Sequence, residues 1–195
     1  MEYKIWKNNE NEFFVELIKN KFRTRIEFDF VPPDDFKGIA VSCNYDYKGH
    51  PIGFLKDNGL VLSNITGRVS RPIFDIDETY IQAGPTLVEN HEINKDFLRE
   101  GFSAGEIISG LHAHIGNKKT GNYVLGFTRS NTLSEIANKY KSDYHCQYAI
   151  KLPGFKRCGF YFKSSNQTIK VGTFPIKAAL IFESRIKNTR NLNGE

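Results

Sequence analysis

The dipeptide Asn58-Gly59 stands between the apolar arms Phe54-Leu55 and Leu60-Val61-Leu62. Both residues accept the positive φ that a two-residue hairpin turn demands, so this stretch commits to a tight antiparallel pair. The same punctuation recurs along the chain. "TLVENHEIN" reads as a second hairpin turning at Glu89-Asn90-His91. "TRIEFDFV" alternates Ile26, Phe28 and Phe30 with Arg25, Glu27 and Asp29, the pattern of a half-buried strand. "GIAVSCNY", "GNYVLGFT", "QYAIKL" and "CGFYFK" are further strand-length runs, and "TIKVGTFPIKAALIFESR" holds one or two more.

Two segments carry helical signals. "NENEFFVELIKNKF" places Phe13, Phe14, Leu17, Ile18 and Phe22 near 3.6-residue spacing. "TLSE" at Thr132–Glu135 is a capping box, opening a helix to about Lys141 with Leu133, Ile136, Ala137 and Tyr140 on one face. The expectation is one α+β domain over residues 1–184, rich in strands, with a mixed or antiparallel sheet and two or three helices. A basic C-terminal tail, 185–195, carries Arg185, Lys187 and Arg190.

At 195 residues, 39% hydrophobic and 25% charged, the chain suits a globular protein rather than a disordered one. It is long enough to bury roughly 70% of its unfolded surface. The net charge of +5 permits an anionic ligand, but the basic residues are spread out, which argues against sequence-specific nucleic-acid binding. No apolar run approaches the roughly 20 residues of a membrane span, and the N-terminus has no signal-peptide core. Three cysteines, Cys43, Cys146 and Cys158, form no CxxC pair and read as free thiols in a cytoplasmic protein. The excess of Lys, Asn, Phe and Ile fits an AT-rich bacterial or phage genome.

The candidate chemistry centres on "HAHIG". His112 and His114 share one face of a strand about 7 Å apart, near enough to touch one phosphate or sugar. Imidazole exchanges protons near neutral pH. Two ligands fall short of a zinc site, so no metal and no cofactor is called for. Asp46 and Glu106 are the candidate carboxylates for proton transfer. Asn44 and Tyr45 offer hydrogen bonds and a stacking ring. Lys118, in the turn after Gly116-Asn117, and Lys151, Lys156 and Arg157 around a Pro-Gly turn offer cations to a phosphate.

In order and spacing, residues 38–182 resemble the phosphodiester glycosidase domain family, which includes the enzyme that uncovers mannose-6-phosphate. "AVSCNYDYKGHPIGFLKDNGLVLSN" resembles the strand ending in Asn-Gly-Gly-Phe-Phe, with Asn44 at the asparagine. "IQAGPTLVENHEI" resembles the glycine-proline hairpin through Gly84, Pro85, Leu87, Val88 and Asn90. "HAHIG" stands where Arg-Thr-Ala-Ile-Gly would. "GNYVLGFTRSNTLSEIANKY" matches the following strand and helix, and "YAIKLPGFKRCGFYF" the final Leu-Asn-Leu-Asp-Gly-Gly-Gly-Ser turn. The departures bear on chemistry. His112 takes the place of the arginine and His114 that of the alanine. Lys151 and Pro153 replace the asparagine and aspartate of the final turn, and Phe155 and Lys156 replace two glycines.

The resemblance implies a phosphodiester-glycosidase-like fold and a small phosphorylated ligand, a sugar phosphate or nucleotide-like phosphodiester. Three functions follow from it: hydrolysis of a glycosyl phosphodiester, with His112 or His114 as acid or base; a catalytically lapsed binder that sequesters such a ligand, in one form phage-encoded against a signalling nucleotide; or a protein-interaction module. The oligomeric state is not legible.

Overall fold

A computed structural model describes residues 1–9, 11–43, 53–64, 73–95, 107–154 and 158–185. All strand pairings among these residues are antiparallel. In chain order the strands are β1 (Tyr3–Asn8), β2 (Glu12–Leu17), β3 (Phe22–Phe30), β4 (Gly38–Ser42), β5 (Leu55–Asp57), β6 (Leu60–Ser63), β7 (Ile73–Ile76) and β8 (Thr79–Gln82). Then come β9 (Thr86–Glu89), β10 (Glu92–Ile93), β11 (Ile107–Lys118) and β12 (Tyr123–Thr132). The helix α1 (Leu133–Asn138) runs into a π-helical turn, Lys139–Asp143. The chain continues with β13 (Cys146–Gly154), β14 (Gly159–Lys163), β15 (Thr168–Gly172) and β16 (Ile176–Ser184).

The first sheet orders its strands β1-β2-β12-β11-β13-β9-β10, the second β15-β14-β4-β16-β3 and the third β6-β5-β8-β7. The first two pack face to face. Phe13 and Phe127 of the first sheet meet Phe160 of the second at centroid distances of 5.7 and 5.4 Å, and Phe13 meets Phe162 at 5.2 Å. Leu55, Phe74, Ile76 and Ile81 of the third sheet join the same buried cluster. The outer face of the first sheet is covered by α1. There Phe14, Val124 and Ala149 are buried with Leu133, Ile136, Ala137 and Tyr140.

Three hairpins turn on pairs of positive-φ residues: Asn58-Gly59, Asp77-Glu78 and Asn90-His91. The first and third match the expectation from sequence. The capping box at Thr132 also forms: the Glu135 N–H donates to Thr132 Oγ1 at 3.1 Å, and the Thr132 N–H to Glu135 Oε2 at 2.6 Å.

The N-terminal segment corrects the sequence expectation. Residues 12–17 are not helical but form β2, and α1 with its π turn is the helical element among the described residues. The reason is burial on both faces. Phe13, Val15 and Leu17 point into the core between the sheets, while Phe14 packs under α1. A central strand covered on both sides loses its polar alternation, and a short apolar run then mimics helical spacing.

Candidate functional site

β11 lies between β12 and β13, and its register sets the geometry. His112 is opposite Thr128 on β12 and Gly154 on β13. His114 is opposite Gly126 and Lys151. Thr128 is in turn opposite Glu12 on β2, and Gly126 opposite Phe14. Residues directly opposite one another share a face. Two rows therefore cross the outer face of the first sheet: Glu12, Thr128, His112, then Phe14, Gly126, His114, Lys151. The histidines do share one face.

They do not share one environment. His112 is half-buried, whereas His114 is fully buried. The His114 ring stacks on Phe14 (centroids 6.0 Å, 17°) and meets Tyr140 edge-on at 6.0 Å. Its Nε2 lies 3.0 Å from Thr128 Oγ1. Burial, and then the positive charges of His112, Lys151 and Lys139, hold its protonation well below the ordinary histidine range. Lys139 is itself bound by Glu12 at 2.8 Å.

Lys118 sits at the far end of β11 and turns onto Glu16, with Nζ 3.2 Å from Oε2. Glu16 also accepts from Trp6 Nε1 at 2.9 Å and Asn122 Nδ2 at 2.7 Å. Burial raises the affinity of this carboxyl for a proton. The hydrogen bonds from Asn122, Lys118 and Trp6 outweigh it and hold the group below its usual range. Lys151 stands beside His114, with Nζ 3.4 Å from the Leu152 carbonyl. Asn44, Tyr45, Asp46, Glu106, Lys156 and Arg157 lie outside the described residues.

What flanks those segments is described. Gly154, opposite His112, precedes residues 155–157, and Cys158-Gly159 follows them. Ser42, the last residue of β4, accepts the Gly159 N–H at 2.6 Å and donates to its carbonyl at 3.2 Å. Burial pushes the Cys158 thiol up to about 12, against the opposing influence of Lys151, the Ala113 backbone and Arg129. The histidine strand, Gly154, Gly159 and the end of β4 thus converge at one end of the two large sheets.

All three cysteines are free and buried, and burial pushes the Cys43 and Cys146 thiols to about 12 as well. At that value they are protonated and unreactive at neutral pH. Among the described residues, no group of three or more His, Cys, Asp or Glu could hold a metal. No helix among them is long and apolar enough to cross a membrane.

Sequence inspection passed over Thr128 and Glu12. The signal was present. Closing the β11–β12 hairpin at Lys118–Asn122, where the Lys118 N–H bonds the Asn122 carbonyl at 2.8 Å, puts Thr128 opposite His112 by counting outward from the turn.

No sequence-family profile and no curated protein matches this chain. Solved structures do. The chain is similar to the catalytic domain of zebrafish N-acetylglucosamine-1-phosphodiester alpha-N-acetylglucosaminidase, auto-inhibited by its pro-peptide. The TM-score is 0.68 at 15% identity, over 94% of this chain and 83% of that one. A hypothetical protein from Synechocystis is similar over 94% of this chain and 61% of its own, with a TM-score of 0.59 and 11% identity. This likeness is one of fold.

Proposed function

We propose that the chain binds and hydrolyses a phosphodiester of a sugar or nucleotide, at the end of the sheets where β4, β11 and β13 converge. The observation that carries this reading is the pair of anchors on residues 155–157: Gly154 opposite His112, and Gly159 bound to Ser42. They bring the residues on either side of Lys156 and Arg157 beside the histidine strand and beside the strand that precedes Asn44, Tyr45 and Asp46 in sequence.

In this reading Arg157, Lys156 and Lys151 hold the phosphate, Arg157 by a two-pronged contact that lysine cannot make. Asn44 and Tyr45 engage the sugar or base. His112 exchanges the proton, with Asp46 or Glu106 as its partner. With a cyclic nucleotide, water attacks phosphorus, gives a proton to the base, and one ester P–O bond breaks. With a glycosyl phosphodiester, water attacks the anomeric carbon and gives a proton to the base. The bond from that carbon to the phosphate oxygen breaks, and a phosphate monoester leaves. The zebrafish protein's name supplies the substrate class to try first, an N-acetylglucosamine 1-phosphodiester.

A second reading, capture without cleavage, is favoured by Pro153. It stands where the resembled family has an aspartate, and proline offers neither proton nor charge. Incubation with N-acetylglucosamine 1-(methyl phosphate) and with cyclic nucleotides, followed by mass spectrometry, decides between the two. Free N-acetylglucosamine or an opened nucleotide supports hydrolysis. Intact ligand released on denaturation supports capture. Neither bound nor cut ligand overturns both.

A further inference from the structure

The two histidines of "HAHIG" look equivalent in sequence, yet their contacts give them different work. His114 has no exposed surface. Its ring is held between Phe14 and Tyr140, and its one hydrogen-bond partner among the described residues is the Thr128 hydroxyl. A ring so enclosed does not meet a ligand. What it does order is Thr128, which is also fully buried and stands directly across from His112.

We propose that His114 is a positioning residue that acts through Thr128 on His112, and that His112 alone of the pair meets the ligand. The inference rests on the functional reading above. The hydrogen bond fixes χ1 of a β-branched side chain, and so fixes where both its methyl and its hydroxyl point. That side chain lies in the same cross-strand row as His112, at the spacing where opposite side chains interact.

Charge points the same way. The groups around His114 are His112 on its own strand, Lys151 on β13 and Lys139 on the π turn, with Glu12 of β2 paired to Lys139. A second cation at His114 would be opposed from three sides. Protonation of His114 is thus disfavoured by its burial and by the cations around it.

The test uses the full chain and three variants. Thr128→Val keeps the branched shape and removes the hydroxyl. Thr128→Ser keeps the hydroxyl. His112→Asn assigns the His112 imidazole signal by NMR. In the wild type, the His112 signal is followed against pH while His114 is expected to keep its neutral signature. Thr128→Val should shift the His112 midpoint and weaken binding of N-acetylglucosamine 1-(methyl phosphate) about tenfold at neutral pH, the worth of one well-placed hydrogen bond. Thr128→Ser should restore both.

An unmoved His112 midpoint in folded Thr128→Val overturns the proposal, even if the phosphodiester binds normally. If Thr128→Val does not fold, the wild-type titration still decides: a His114 signal that titrates alongside His112 overturns it. If wild type neither binds nor cleaves the phosphodiester, the functional reading fails. The coupling from His114 to His112 is still upheld where the midpoint moves in the valine variant and returns in the serine one.

Discussion

Ser42 Oγ holds both backbone groups of Gly159, accepting its N–H at 2.6 Å and donating to its carbonyl at 3.2 Å. This side chain closes the end of β4 against the start of β14, at a site with no exposed surface. Ser42→Ala leaves a buried N–H without its partner, which costs about 1–3 kcal/mol. The measurement is urea unfolding. A midpoint equal to wild type would show that the backbone finds another acceptor.

Acid should weaken the fold through His114. The folded ring resists protonation, whereas the unfolded chain takes a proton near the ordinary value of 6.5. Below that value the unfolded state binds more protons than the folded one, so stability falls as pH falls. The contribution is fully present above 6.5. Urea midpoints from pH 7.5 down to 5 should decline in wild type and decline less steeply in His114→Gln. Parallel curves would mean that another group sets the acid response.

Lys118 separates two roles by experiment. Glu16 and Lys118 are both largely buried, and removing the lysine leaves the carboxylate with Trp6 and Asn122 alone. Lys118→Met should cost about 1–3 kcal/mol, less than the roughly 3–5 of a wholly enclosed pair, because the ammonium still reaches solvent. Affinity for a phosphodiester should stay at the wild-type level. Lost affinity at unchanged stability would return Lys118 to the ligand.

Gly126→Ala tests how closely β2 and β12 approach. A Cβ there would lie 2.4 Å from the Phe13 carbonyl oxygen and 2.6 Å from Phe14 Cδ1. The strands must part or the ring must move, so a loss of about 1–3 kcal/mol or more is expected. A thermal midpoint within a degree of wild type would refute this.

Turn chemistry and capping were legible because they are local. Asn58-Gly59 and Thr132–Glu135 carry their geometry in two to four residues. Asp77-Glu78 turns in the same conformation with neither glycine nor asparagine, so its hairpin went unread; the β7–β8 pairing supplies what the dipeptide lacks. β2 was misread because its neighbours on both faces come from distant sequence. The histidine pair was seen, and its shared face was inferred correctly. Its inequality was not, since that depends on Phe14 and Tyr140, which come from a strand and a helical turn with no sequence link to β11.

The two-sided burial of β2 also bears on how the molecule is made. β2 finds its inner neighbour only in β12, more than a hundred residues later, and β3 pairs with β16, later still. While a ribosome extends the chain, the run "FFVEL" waits with β1 as its one strand partner; the first large sheet cannot be completed before β13 emerges, nor the second before β16. Such long-range pairing makes for slow folding and for prolonged exposure of a sticky N-terminal segment. Nascent-chain yield should therefore depend on the interval before β16 is released, with the first thirty residues as the segment that chaperones must cover.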